Sequence, residues 1–258
     1  MVPFLSLSRS LVLDSWYVML VAGIALGSLI SLRILSRQIG WGRSLLVVAI
    51  MVWAALFGAH LLHAALHPQA FHNRTLELLI FWKGGHSFLG ALALAPLVLL
   101  LLSRILPGLC FLAGADAFAL GIPLGLVFAR IGCHLKGCCW GTPLPENHPL
   151  HGISRKLVEN HLLDLHPVQL YSAAGALLLF LVLVFLGKRC RSPGVLSGAF
   201  AFLYGAGRFF LEFFRGDSAG QRIFGGLSIH QGLSLVLVAA AIGFLVLLRP
   251  SRTSSGSM

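Results

Sequence analysis

The segment Tyr204-Gly-Ala-Gly-Arg-Phe-Phe-Leu-Glu-Phe-Phe-Arg215 decides the fold class. It places Arg208 and Glu212 four residues apart, near the end of a long apolar run that begins around Gly194. A charged side chain at membrane depth costs about 2.5–3.5 kcal/mol on insertion scales, so it usually faces a bundle interior and marks a substrate or ion path. At (i, i+4) the two residues also read as a mutually neutralising structural pair.

Composition puts that run in hydrocarbon. The 258 residues are 57% hydrophobic and 10% charged, whereas soluble domains carry about 25% charged residues. A span needs about 20 mostly apolar residues. Runs near 16–32, 44–66, 86–103, 108–129, 168–187, 194–214 and 226–248 meet that need. They predict an all-α integral membrane protein of seven transmembrane helices, a single membrane domain over 1–258 with an outer loop over 130–167. The first run is long for a signal peptide, lacks a clean A-x-A site and is followed by Arg33, Arg37 and Arg43, which argues against cleavage.

The formal charge of +11 does not indicate nucleic-acid binding, because the basic residues are scattered through short loops. Topology accounts for them. Arg33, Arg37 and Arg43, then Arg104, then Lys188, Arg189 and Arg191, then Arg249 and Arg252 fall in segments without an acid. On the other side, Arg9 accompanies Asp14, Arg74 and Lys83 accompany Glu77, and the 130–167 loop mixes bases with Glu146, Glu159 and Asp164. The positive-inside rule then puts the N-terminus outside and the C-terminus in the cytoplasm.

With that topology the unusual residues converge on one layer at the outer face. Gly84-Gly-His-Ser-Phe88 opens the third span, Arg130 closes the fourth, and His166-Pro-Val-Gln-Leu-Tyr171 opens the fifth. Arg208 and Glu212 end the sixth, and Gly225-Gly-Leu-Ser-Ile-His-Gln231 opens the seventh. At about 1.5 Å per residue, Arg208 lies roughly 10 Å below Arg215, at headgroup depth. Two guanidiniums at that depth suit a phosphate, since the planar fork meets its oxygens bidentately and keeps its charge. Arg130 taken alone also reads as an interfacial snorkelling residue. His86, between flexible glycines Gly84 and Gly85 and the start of the span, is the best-placed general base.

Cys133-His-Leu-Lys-Gly-Cys138-Cys139 follows Arg130 immediately. The C-x4-C-C spacing matches no standard zinc knuckle, and no cofactor is expected. A disulfide, packed thiols, a metal cluster and a reactive thiol all remain open for these cysteines.

Several of these segments resemble the prolipoprotein diacylglyceryl transferase family. The family's W-x-G-G-x-S-F-H-G-G resembles Trp82-Lys-Gly-Gly-His-Ser-Phe-Leu-Gly-Ala91. Its G-R-I-G-N-F-x-N-x-E-x-x-G signature resembles Ala129-Arg-Ile-Gly-Cys-His-Leu-Lys-Gly-Cys-Cys-Trp-Gly141, and H-P-x-Q-L-Y is met by His166 to Tyr171. Y-G-x-x-R-x-x-x-E-F-x-R is matched throughout by Tyr204 to Arg215. The resemblance covers roughly residues 80 to 235.

The resemblance implies a seven-span enzyme of the bacterial cytoplasmic membrane, its active face toward the outer leaflet. Such an enzyme moves diacylglyceryl from phosphatidylglycerol to the lipobox cysteine of a preprolipoprotein. Arg130 and Arg208 would hold the phosphate, with Glu212 and Tyr204 beside them. Gly84, Gly85, Cys133, His166, Gln169, Tyr171 and Gln231 would line the substrate site, and His86 would supply the imidazole. The departures are specific: Leu89 stands where the family has a histidine, and Cys133 and Cys138 stand at the signature asparagine and glutamate. They keep two other functions in view, a headgroup-binding paralog without chemistry and a thiol-redox membrane protein.

Overall fold

Among the described residues, seven α-helices occupy the seven apolar runs: α1 (Ser15–Ile39), α2 (Trp41–Leu66), α3 (Phe88–Ile105), α4 (Phe111–Lys136), α5 (Val168–Arg189), α6 (Val195–Leu211) and α7 (Ile229–Leu247). The computed structural model describes residues 4–6, 12–71, 87–145, 147–158, 161–190, 192–216 and 226–248. Gly84, Gly85 and His86 lie outside the described residues, as does the tail from residue 249. Six of the helices are long and apolar enough to cross a membrane. The exception is α6, whose 17 residues reach about 25 Å against a hydrocarbon core of about 30 Å.

The surfaces of these helices are those of a membrane protein. Leu97, Leu178, Val236 and Leu247 expose 63%, 63%, 67% and 85% of their surface. Apolar side chains exposed along several helices at once are a liability in water and a match for lipid.

Two hairpins add to the helical expectation: β1 (Phe4–Ser6) pairs antiparallel with β2 (Val12–Asp14), and β3 (Arg155–Val158) with β4 (His161–Asp164). The chain divides into two compact units, Gly27–Gly121 and a second formed by Met1–Leu26 with Ile122–Met258.

In the Gly27–Gly121 unit, α2 and α3 meet at a glycine pair. A Cβ on Gly58 would stand 2.7 Å from both the Gly90 carbonyl oxygen and Leu94 Cβ, so only hydrogen fits there. Such close backbone approach is how helices associate in lipid, where apolar side chains gain little by leaving the solvent. In the same unit Leu35, Val47, Met51, Leu99, Leu109 and Ala117 form a buried cluster. The Ser31 hydroxyl, buried nearby in α1, donates to the Gly27 and Ala117 carbonyls at 3.1 Å.

In the second unit, α6 is flanked by α5 and α7, with Leu183, Phe200 and Ala241 buried. Asp14 ties the entry of α1 to the end of α4: its Oδ1 accepts from the Trp16 amide at 2.9 Å and its Oδ2 from Lys136 Nζ at 2.8 Å. The loop between α4 and α5 is organised by a second carboxylate. Asp164 Oδ1 accepts from the Gly152 amide at 2.6 Å and from Arg155 Nε at 2.9 Å, and its Oδ2 lies 3.3 Å from His151 Nδ1.

Replacing Gly90 by leucine should overpack the α2–α3 crossing and cost about 1–3 kcal/mol, read as a lower unfolding temperature in detergent. The Asp164 carboxyl is held below its ordinary 3.8, first by the Gly152 amide and then by Arg155. A depressed folded pKa stabilises above the unfolded value and is lost as pH falls through the folded one. Limited proteolysis of the loop between α4 and α5 should therefore stay constant down to about pH 4 and accelerate below it. Asp164→Asn should be cleaved faster at neutral pH and lose most of that acid dependence.

Candidate functional site

The site forms where α4, α5, α6 and α7 of the second unit bring their polar ends together. Its central group is Glu212, whose side chain is only 2% exposed. The sequence places a carboxylate there, but the backbone decides who meets it. At Glu212 the helix tightens into a 3-10 turn, Glu212–Phe214, where the expected span continued as regular helix. In that geometry residues i and i+3 eclipse, and Arg215 Nε comes within 3.8 Å of Glu212 Oε2. Arg208 pairs with the same oxygen from one turn earlier through Nη1.

The other carboxylate oxygen is bound by α7. Ser228 Oγ donates to Glu212 Oε1 at 2.9 Å while accepting from the Gln231 amide at 3.1 Å, and Gln231 Oε1 accepts from the Ser228 amide at 2.9 Å. This is a capping box, which satisfies two orphan donors of α7 reciprocally. Gln231, expected among the substrate contacts, is 4% exposed and commits its side-chain carbonyl to the cap. Its role is to fix Ser228 and through it Glu212. His230 Nδ1 lies 3.7 Å from Glu212 Oε1.

Arg130 reaches the same place from α4. It hydrogen-bonds the Tyr204 side chain, and Arg130, Arg208 and Arg215 all act electrostatically on that phenol. Among the described residues, the group therefore holds three guanidiniums around Tyr204 and one carboxylate, Glu212. Arg208 and Arg215 side chains are 10% and 13% exposed. A buried excess of positive charge is costly unless an anion completes it.

The remaining predicted residues are joined by backbone. Thr142 N donates to Phe214 O at 2.9 Å, His166 N to Thr142 O at 3.0 Å, and Gly216 N to Trp140 O at 3.1 Å. The strand-like stretch from Trp140 to Pro143 thus links the entry of α5 to the segment after Glu212. His166 Nδ1 meets the Tyr171 hydroxyl at 3.2 Å, and both rings pack edge-on against Phe214. Burial, and then the nearby His148, lowers the His166 pKa. Gln169 is 1% exposed; its Nε2 donates to Cys138 O at 2.6 Å, and its Oε1 has no hydrogen-bond partner among the described residues.

The cysteines differ from the expected outer-loop arrangement. Helix α4 runs on to Lys136, so Cys133 and His134 belong to its last turn. Gly137 ends it in the left-handed region at φ 74°, with Cys138 N donating back to Cys133 O at 3.2 Å and Gly137 N to His134 O at 3.1 Å. Those two bonds and a left-handed glycine make a Schellman close. Cys139 then adopts φ 57°, unusual for a residue with a side chain. The result brings the sulfurs of Cys133, Cys138 and Cys139 within 4.8 Å of one another, as free thiols. Hydrogen bonds from Cys133 and Cys138, and then the charges of Arg130 and Arg215, lower the Cys139 pKa.

Three contributors were not singled out as site residues in the sequence: Arg215, Ser228 and Cys139. Arg215 ended the decisive segment, and a three-residue offset from Glu212 was the signal for it. Ser228, three residues before Gln231, carried the capping-box pattern. Leu89, at the family's histidine position, is a buried residue of α3.

Residues 4–247 match the family model for prolipoprotein diacylglyceryl transferase. A protein of Methylocella silvestris named phosphatidylglycerol–prolipoprotein diacylglyceryl transferase is 34% identical, over 88% of this chain and 86% of its own length. Proteins of the same name from Beijerinckia indica and Nitrosomonas europaea are 33% and 34% identical, over 90% and 75% of this chain and 88% and 69% of theirs.

Truncating Glu212 to alanine should destabilise the protein by about 3–5 kcal/mol, because the guanidiniums are left buried and uncompensated. Glu212→Gln keeps an acceptor for Ser228 and should lose less. Thermal unfolding of the two variants in detergent checks the order.

Proposed function

The chain belongs to the prolipoprotein diacylglyceryl transferase family, and on that footing we propose that it moves a diacylglyceryl group from phosphatidylglycerol to a cysteine thiol of a prolipoprotein. We further infer that the acceptor is a lipobox cysteine. The setting would be a bacterial inner membrane, crossed seven times with the N-terminus outside and the active face toward the outer leaflet.

One observation carries this reading: Arg130, Arg208 and Arg215 gathered around Tyr204, with Glu212 the carboxylate that meets Arg208 and Arg215 among the described residues. A phosphodiester brings one negative charge, and the glycerol phosphate that leaves acquires a second. The excess positive charge of the cluster is therefore neutralised best when the leaving group is fully formed. Stabilising charge that develops during reaction is what lowers a barrier, as distinct from tight binding of the starting lipid.

The step is substitution at carbon. The acceptor sulfur attacks the glycerol carbon that carries the phosphate, a C–S bond forms, and the C–O bond breaks with its electron pair going to the phosphate oxygen. The acceptor must lose its thiol proton, because the thiolate is the nucleophile. Tyr204, hydrogen-bonded to Arg130, helps orient one guanidinium, and Glu212 orients the other two.

A second reading is favoured by Leu89, which puts an alkyl group where the family has an imidazole. In it the chain binds the headgroup and transfers nothing. Purified protein incubated with labelled phosphatidylglycerol and a lipobox peptide separates the two. Transfer is expected, reduced by about 10²–10³-fold in Arg208→Ala and in Arg130→Ala. Lipid binding without transfer under any condition would leave only the second reading.

A further inference from the structure

The reaction needs an acceptor thiolate, and the chain has placed three sulfurs of its own beside the guanidinium cluster. We propose that Cys133, Cys138 and Cys139 hold a thiophilic divalent cation of the zinc class, and that its open fourth position takes the acceptor thiol. The fourth ligand rests on the transferase reading; the three-thiolate site does not.

Geometry comes first. All three Sγ atoms lie within 4.8 Å of one another. In a tetrahedral site with zinc–sulfur bonds of about 2.3 Å, sulfurs stand roughly 3.8 Å apart. A contraction of about 1 Å, within reach of small side-chain rotations, converts one arrangement into the other. The backbone around the cluster is already committed to it. Gly137 and Cys139 are both left-handed, at φ 74° and 57°, and Gln169 Nε2 holds the Cys138 carbonyl at 2.6 Å. A left-handed non-glycine residue is a conformation the surroundings must enforce.

Number and charge point the same way. A disulfide consumes two sulfurs and leaves the third without a role, whereas a cation uses all three. Three thiolates on a divalent ion carry one net negative charge, and a fourth thiolate raises it to two. Arg130 and Arg215 both act on Cys139, so an anionic thiolate site lies in a positive field. Cys133 is buried, while Cys138 and Cys139 are half-buried, so a fourth ligand has an approach.

The chemistry balances. On binding, the acceptor thiol releases its proton to water and its sulfur becomes a metal-bound thiolate. That sulfur forms the C–S bond as the glycerol C–O bond breaks. The product is a thioether, a weaker ligand, which leaves the position to water or the next acceptor. Metal coordination deprotonates a thiol outright, so no imidazole is required. This offers a chemical reason why Leu89 can occupy the family's histidine position.

The full chain, purified in detergent, should contain stoichiometric zinc that is lost in Cys139→Ser and in Cys138→Ala and kept in Arg208→Ala. After chelation, Co²⁺ should restore a sulfur-to-cobalt charge-transfer band. A lipobox peptide should shift that band, and the same peptide with serine for cysteine should not. Absence of zinc and of the cobalt band in protein whose thermal unfolding is unchanged would overturn the metal site, as would a disulfide between two of the three thiols in protein made without reductant. A cobalt band indifferent to the peptide would overturn the thiol-holding role. Full transfer by metal-free Cys139→Ser would remove the proposal and leave the transferase reading intact. A zinc site that responds to the peptide while no lipid is transferred would do the reverse.

Discussion

Glu212 is a carboxylate with almost no access to solvent, and the second unit is arranged around satisfying it. Burying such a group is tolerable only when its lone pairs are filled and its charge opposed. Here one oxygen faces Arg208 and Arg215, and the other accepts from Ser228 and lies near His230. Those partners come from the end of α6, the turn after it and the first residues of α7. Shifting any of these elements would leave a charge without its counter-charge, so the carboxylate fixes the register of α6 against α7 more sharply than leucine packing could in lipid.

The same constraint makes the arginines useful. A guanidinium on a flexible stem loses rotamer entropy whenever it binds an anion. Arg208 and Arg215 have much of that freedom removed in advance by Glu212, and Arg130 is tethered to Tyr204. Among the described residues one carboxylate meets a group of three guanidiniums, so orientation is obtained without cancelling their positive field. The glutamate is thus better understood as an orienting group than as the neutralising half of an ion pair.

Next to this cluster the chain departs from the family's chemistry in a coherent way. The signature positions Cys133 and Cys138 are joined by Cys139, and the turn that ends α4 folds the three sulfurs together. The link between the two halves of the site is backbone: the Trp140–Pro143 stretch pairs with both the residues after Glu212 and the entry to α5. Sulfur cluster and guanidiniums are therefore held in one frame, within one unit.

The sequence by itself determined the membrane class, the positions of the apolar helices and the Tyr204–Arg215 motif. Each follows from local chemistry: length of apolar run, cost of charge in hydrocarbon, and spacing along a helix. It could not determine that α6 stops at Leu211 and tightens into a 3-10 turn, that Gln231 belongs to a helix cap, or that Cys133 lies in a helix while Cys139 turns back toward it. Those depend on which donor a buried carboxylate or carbonyl finds across the bundle, and residues from 130 to 231 meet there only after folding. Only the tertiary structure decided how Arg215 completes the cluster, because the 3-10 turn that follows Leu211 sets where its guanidinium meets the buried Glu212 carboxylate.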